Sequence, residues 1–230
     1  AAGTVTLTLT TTGNGTCSPV SSFMVVTITP APTVDAGSIQ TVCANNRVVS
    51  TAGTSTFATS VLWTSTGTGA FTDNADPTTF YTPSDADTAL GTDTLILTTT
   101  GPVGCVSEAD TMILTITKAP KSLANNNQTV CASSPAITLA GTVYNSASQL
   151  WTVTFPAVPD GAFDNPTLLG AVYTPGAGDI AAGSVTFQLA TTGNGPCVEA
   201  TDAMTATINP LATASAGANA NICSGSTYTM

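Results

Sequence analysis

The chain has 230 residues, of which 7% are charged; thirteen carboxylates outnumber the three basic side chains, Arg47, Lys118 and Lys121, and histidine is absent, giving a formal charge of -10. That surface makes nucleic acid a poor partner. With 42% hydrophobic residues the chain is not of disordered composition, and its threonine content suits a pleated sheet better than a helix, so the expected fold class is all-β.

The first element in the chain is a strand in which Val5, Leu7 and Leu9 alternate with threonine, predicting one core face and one wet face. A loop with Cys17 follows, then a strand with Met24, Val26 and Ile28 facing inward. Cys43 precedes the next run of strands, and Trp63 sits in the middle of one of them, where a large ring would fill the space between two sheets. Gly69-Ala70-Phe71 comes next, then Tyr81-Thr82-Pro83, whose proline marks an edge or a turn; the segment 81–87 is expected to cross between the sheets. Leu95 with Leu97, Cys105, and Met112, Leu114 and Ile116 then repeat the opening pattern. The same order returns with Cys131, Trp151, Tyr173, the strand of Val185, Phe187 and Leu189, Cys197, the strand of Met204, Ala206 and Ile208, and Cys223. No helical periodicity is present.

These markers recur at offsets of 88 and 92 residues: 88 separates Trp63 from Trp151, Cys43 from Cys131 and Gly53 from Gly141, and 92 separates Tyr81 from Tyr173 and Cys131 from Cys223. The extra four residues lie between Trp151 and Gly161, in a turn between strands, where insertion is tolerated. The expected organisation is the C-terminal part of one repeat at 1–30, β-sandwich repeats at 31–118 and 119–210, and the N-terminal part of a further repeat at 211–230. Each repeat of about 90 residues reads as about seven short strands, the pattern of an immunoglobulin-like sandwich. The two partial ends hold too few residues to rebuild one repeat, so the chain is expected either to extend in both directions or to receive strands from neighbouring subunits by β-augmentation.

No run approaches the ~18 apolar residues of a membrane span, so no transmembrane segment is expected here. Six cysteines without histidine or a CxxC pair point to disulfides rather than zinc, and so to an oxidising compartment outside the cytoplasm. Bonds inside each repeat, Cys43 to Cys105 and Cys131 to Cys197, are one reading. In an immunoglobulin-like topology, however, those cysteines lie at opposite ends of parallel-running strands, on the order of 30 Å apart, whereas a disulfide needs Cα atoms within roughly 7 Å. Repeats joined end to end instead bring Cys43 to Cys197, and leave Cys17, Cys105, Cys131 and Cys223 to pair with repeats beyond this sequence.

No catalytic constellation emerges: the acidic residues are scattered and the lysines do not recur, so the chain is not read as an enzyme, and no cofactor is implied. Lys118 and Lys121 have Pro30 and Thr33 at the equivalent earlier positions, which sets aside lysine isopeptide bonds. Asp85, Asp87 and Asp93 are near enough in sequence to suggest calcium, but only Asp87 has an equivalent, Asp179. They read as solvated turn carboxylates, and no metal is expected. Asn14 and Asn127 begin N-glycosylation sequons. Phe57, Phe80, Tyr144 and Phe155 are the aromatics that could serve a binding surface.

The succession AG…TVC, W-T, GAF, YTPS-AD, G-VTLTLTTTG-G-C and D-M-LTIT resembles the tandem repeats of large Bacteroidota cell-surface proteins, including gliding-motility adhesins. The resemblance spans the whole chain and implies export by the type IX system to a place at or beyond the outer membrane. It also implies Asp-Thr-apolar O-glycan acceptors, for which Thr88, Thr94 and Thr111 are candidates. A more distant likeness is to polycystic-kidney-disease-type (PKD-like) domains, whose WDFGDG turn is WTSTGTG here; only the sandwich carries over. The function expected is that of a structural segment of an extracellular fibre, stalk or filament in surface adhesion, stiffened by disulfides. Its partners would be neighbouring repeats or copies of itself. The alternatives are a module that binds glycans or surfaces, and a surface-layer subunit.

Overall fold

The computed structural model describes residues 3–227 and Thr229. It comprises two compact units: residues up to Ala119 together with Pro196–Val198, and Pro120–Gly195 with the residues from Glu199 onward.

In the first unit a hairpin of β1 (Gly3–Thr10) and β2 (Ser21–Ile28) precedes β3 (Thr33–Asp35), β4 (Gln40–Cys43), β5 (Val49–Ser50), β6 (Thr54–Thr56), β7 (Ser60–Ser65), β8 (Ala70–Phe71), β9 (Phe80–Thr82), the helix α1 (Asp85–Leu90), β10 (Thr92–Thr100) and β11 (Ala109–Thr117). A four-stranded sheet runs β4-β11-β10-β7, with smaller sheets β5-β9-β8 and β3-β6. β4 is parallel to β11, placing Cys43 opposite Thr117, whereas β10 is antiparallel to both of its neighbours.

The second unit repeats this plan with β12 (Lys121–Leu123), β13 (Gln128–Cys131), β14 (Ile137–Thr138), β15 (Thr142–Tyr144), β16 (Ser148–Phe155), β17 (Ala162–Phe163), β18 (Val172–Thr174), α2 (Ala177–Ala182), β19 (Ser184–Thr192) and β20 (Thr201–Asn209). Its sheets are β13-β20-β19-β16, β14-β18-β17 and β12-β15. The fold is all-β, with immunoglobulin-like sandwiches in tandem.

Alternation decides which side chains enter each core. Along β10, Leu95 and Leu97 are buried, and along β11 so are Met112, Leu114 and Ile116, while the residues between them keep contact with water. Trp63 packs against Phe71 at 5.9 Å, and Phe71 against Tyr81 at 4.7 Å. Val34 of β3 and Val49 of β5 reach the same core, so the small sheets close over the large one. In the second unit Trp151, Tyr173, Phe187 and Leu189 play these parts, with Tyr173 and Phe187 edge-to-face at 5.1 Å. Gly53 and Gly141 have a packing reason: a Cβ there would collide with the ring of Trp63 or Trp151 and with Leu97 or Leu189.

Two features depart from the sequence-based expectations. The segments after Pro83 and Pro175 each form a short helix, α1 and α2, ended by Gly91 and Gly183 in the left-handed conformation. Six residues are too few for a 3.6-residue period to show. The expected core face of β1 and β2 is also open, with Leu7 51% and Met24 58% exposed against 0% and 1% for their counterparts Leu95 and Met112. No second sheet covers that face among the described residues, so alternation alone leaves it in water.

Candidate functional site: the cysteine clamp and the buried carboxylates

β4 ends in Cys43, which is fully buried, and the chain turns at once: the Asn46 N–H donates to the Cys43 carbonyl at 2.9 Å. This turn presents two asparagine side chains to the Pro196–Val198 segment. Asn45 Nδ2 donates to the Val198 carbonyl at 2.9 Å, the Val198 N–H returns to Asn45 Oδ1 at 3.2 Å, and Asn46 Nδ2 donates to the Pro196 carbonyl at 3.3 Å. Between these bonds lies a disulfide from Cys43 to Cys197, with Cα atoms 4.9 Å apart and 154 residues of sequence separation. The last residues of β11 complete the site: Thr117 Oγ1 donates to the Val42 carbonyl at 3.0 Å and lies 3.4 Å from Cys197 Sγ. The side-chain bonds and the disulfide explain why three residues of the 119–210 segment belong to the first unit.

The register explains why Cys43 does not meet Cys105. Cys43 lies opposite Thr117 at the C-terminal end of β11, whereas Cys105 precedes Ala109, where β11 begins. Eight residues of strand rise separate the two levels by about 26 Å. Cys105 instead lies 3.3 Å from Thr29 Oγ1 and 3.8 Å from the Pro30 carbonyl. Cys17, Cys105, Cys131 and Cys223 are free. Cys131 is exposed, and hydrogen bonds from Ser133 pull its thiol below the usual range.

The acidic turns are not solvated as expected. Asp87 and Asp93 are 1% and 3% exposed, and Asp179 is fully buried. Asp87 accepts from the Thr68 and Ser84 N–H groups at 2.9 and 2.8 Å, while Ser84 caps α1 in return. Asp93 accepts from Thr66 Oγ1 and the Gly67 N–H, and Tyr81 donates its hydroxyl to Asp93. Burial alone would raise the Asp87 carboxyl, but the Thr68 and Ser84 N–H bonds outweigh it and hold it below the ordinary range. Burial, then the hydrogen bond to Asp93, pushes the Tyr81 phenol well above its usual value.

In the second unit Tyr173 donates to Asp179 at 2.7 Å. Gly176 replaces Ser84 at the helix cap, and Asp160, which stands where the first unit has Thr68, takes over by accepting from the Gly178 and Asp179 N–H groups at 2.8 and 3.0 Å. Val185 stands where the first unit has Asp93. No group of three metal-ligating side chains occurs among the described residues. The exposed Asp85 pairs with Arg47 at 2.6 Å instead.

The remaining candidates are dispersed. Trp63 and Trp151 are 1% exposed, each with its indole N–H on a backbone carbonyl. Phe57, Phe80, Tyr144 and Phe155 are exposed but belong to different strands and loops. Thr111 is exposed; Thr88 and Thr94 are half-buried, and the Thr88 hydroxyl donates to the Asp85 carbonyl. Asn14 donates to Thr11, and Asn127 accepts from the Thr205 N–H. Lys118 and Lys121 are exposed. No helix among the described residues is long and apolar enough to cross a membrane.

No family model and no curated relative matches the chain. Solved structures similar to it include extracellular cadherin domains 3-6 of protocadherin gamma B2, at 17% identity over 90% of this chain and 59% of that one, with a TM-score of 0.39. Immunoglobulin domains 1-5 of Sidekick-1 align at 14% identity over 79% of this chain and 39% of theirs, TM-score 0.42. A variant of three titin immunoglobulin domains aligns at 11% identity over 92% of this chain and 75% of its own, TM-score 0.45. The chain thus spans less than two thirds of the first two of these.

Proposed function

We propose that this chain is a structural segment of an extracellular fibre, stalk or filament that serves surface adhesion, built from the repeats 31–118 and 119–210 and from the partial repeats that flank them. The observation that carries the reading is the Cys43–Cys197 disulfide. In the repeat frame it joins the start of one repeat to a late loop of the next, so that tension on the chain is borne by a covalent bond. The residues that join the two repeats are relieved of it. Buried aromatic cores suit a load-bearing part, and the disulfide suits an oxidising, extracytoplasmic location. Display at a Bacteroidota surface after type IX export belongs to this proposal through the sequence resemblance.

Imaging of native surface material before and after reduction tests the reading. A beaded fibre that advances roughly 35 to 45 Å per repeat, from the strand rise plus loops, and that loosens on reduction is the expected result. Short separate particles indifferent to reductant would contradict it and would favour a binding module.

A further inference from the structure

The outer face of the sheet β4-β11-β10-β7 differs from the rest of the first unit's surface in carrying no charge. Its strands hold two charged side chains, Asp93 and Asp110, and both turn inward: Asp93 is 3% exposed, and Asp110 accepts from the N–H of the buried Ala36 at 2.8 Å. The unit as a whole has eight carboxylates against Arg47 and Lys118, and eight negative with two positive charges leave it at -6. All of that charge lies off this face.

What the face presents is a diagonal of aliphatic side chains across three strands, Ile113 on β11, Ile96 on β10 and Leu62 on β7. Each stands opposite a threonine of the neighbouring strand, Thr94, Thr111 and Thr98 in that order. Ile113 is 46% and Leu62 45% exposed, and Ile96 is half-buried. The period of two puts them outside, between core residues such as Leu95, Leu97, Met112 and Leu114. Beside them the Thr92 hydroxyl already donates to the Leu114 carbonyl at 3.1 Å, so covering it leaves no donor unpaired. The second unit keeps the fold and lacks the diagonal: where the first has Ile113, Ile96 and Leu62, it has Thr205, Gln188 and Leu150.

We infer that this face is where the first unit packs against the same face of a second copy of the chain, sheet on sheet about a two-fold axis, with the sheets about 10 Å apart. Charge selects the occupant. Two copies of like charge repel wherever their carboxylates meet, and they escape that cost only over a face that holds none. A cationic partner would gain nothing there, and a sugar would find no aromatic ring to stack on among these residues. Burial of the aliphatic diagonal supplies the attraction. Four strands ~4.8 Å apart and about seven residues long give on the order of 400 Å² per copy, or about 800 Å² in all, below the roughly 1,200 Å² of a stable complex. The contact is therefore weak and reversible. Thr94 and Thr111 lie on it, so glycans on those hydroxyls and the contact exclude each other.

This contact is lateral, goes beyond the fibre reading and does not depend on it. The test is sedimentation equilibrium of the unglycosylated 230-residue chain, its free thiols alkylated, at concentrations up to about 1 mM in low salt and in about 0.5 M salt. Expected is a monomer–dimer equilibrium that tightens severalfold in high salt, because salt screens the repulsion between copies and takes nothing from a neutral contact. Ile113→Glu and Leu62→Glu, at exposed positions outside the core, should each weaken it about tenfold, whereas Leu150→Glu in the second unit leaves it unchanged. Ile113→Thr, which installs the second unit's residue without a charge, should weaken it about threefold. Monomer at every concentration, dimers that loosen as salt rises, or dimers that survive the Ile113 and Leu62 substitutions, as a contact through the open β1–β2 face would, overturn the inference.

Discussion

Asp87 shows how much a single carboxylate does in this fold. It ties the turn after β7 to the start of α1 through the Thr68 and Ser84 N–H groups and stands within reach of Tyr81. Asp87→Ala leaves buried donors unpaired and should cost ~2–3 kcal/mol in denaturant unfolding, with Trp63 fluorescence as the probe. Its pH dependence has a definite sign. A carboxyl held below its unfolded value of ~3.9 contributes stability that is complete above that value and is lost as pH falls through the folded one. The melting temperature is expected to hold steady from about pH 7 to 5 and to fall below about pH 4, less steeply in Asp87→Asn. At the glycines beside the tryptophans, Gly53→Ala and Gly141→Ala should each destabilise by ~1–3 kcal/mol through overpacking, although alanine normally stabilises an exposed chain. An unchanged midpoint in either variant would contradict the packing described. None of this was legible in the sequence, where an aspartate in a turn looks solvated and a glycine looks like a turn residue; burial depends on what folds over them.

The strands were legible and the helices were not. Alternating threonine and aliphatic residues mark β10, β11, β19 and β20, because a period of two over nine residues leaves no other reading. The helices α1 and α2 lie below the length at which periodicity speaks, and their caps differ: Ser84 acts within its own element, whereas Asp160 reaches α2 from the turn before β17. Asp160→Ala should therefore weaken the second unit and leave the first unchanged, a difference that segment-resolved hydrogen exchange would detect at 177–183 but not at 85–91. Equal loss of protection in both helices would contradict the assignment. Strand direction tells against a Cys43–Cys105 bond, since it needs only which end of a strand each cysteine occupies; Cys197 as the partner follows only if repeats also join end to end. The asparagine contacts to Pro196 and Val198 carry no sequence signal and emerge only from the structure.

For the whole molecule, the disulfide encloses a loop of 154 residues. Closing a loop of that size removes entropy from the unfolded chain worth about 5 kcal/mol in the chain-entropy account, so reduction should lower the melting temperature and broaden the transition. The mechanical consequence is sharper. Pulled from its two ends, the oxidised chain cannot extend the residues between Cys43 and Cys197, and force-extension measurement of single molecules reads that hidden length directly. The account predicts that reduction releases about 550 Å more contour length than the oxidised chain yields, the extended length of 154 residues at ~3.6 Å each. Full extension without reductant, or a hidden length of only about 220 Å as a Cys43–Cys105 bond would give, would contradict it.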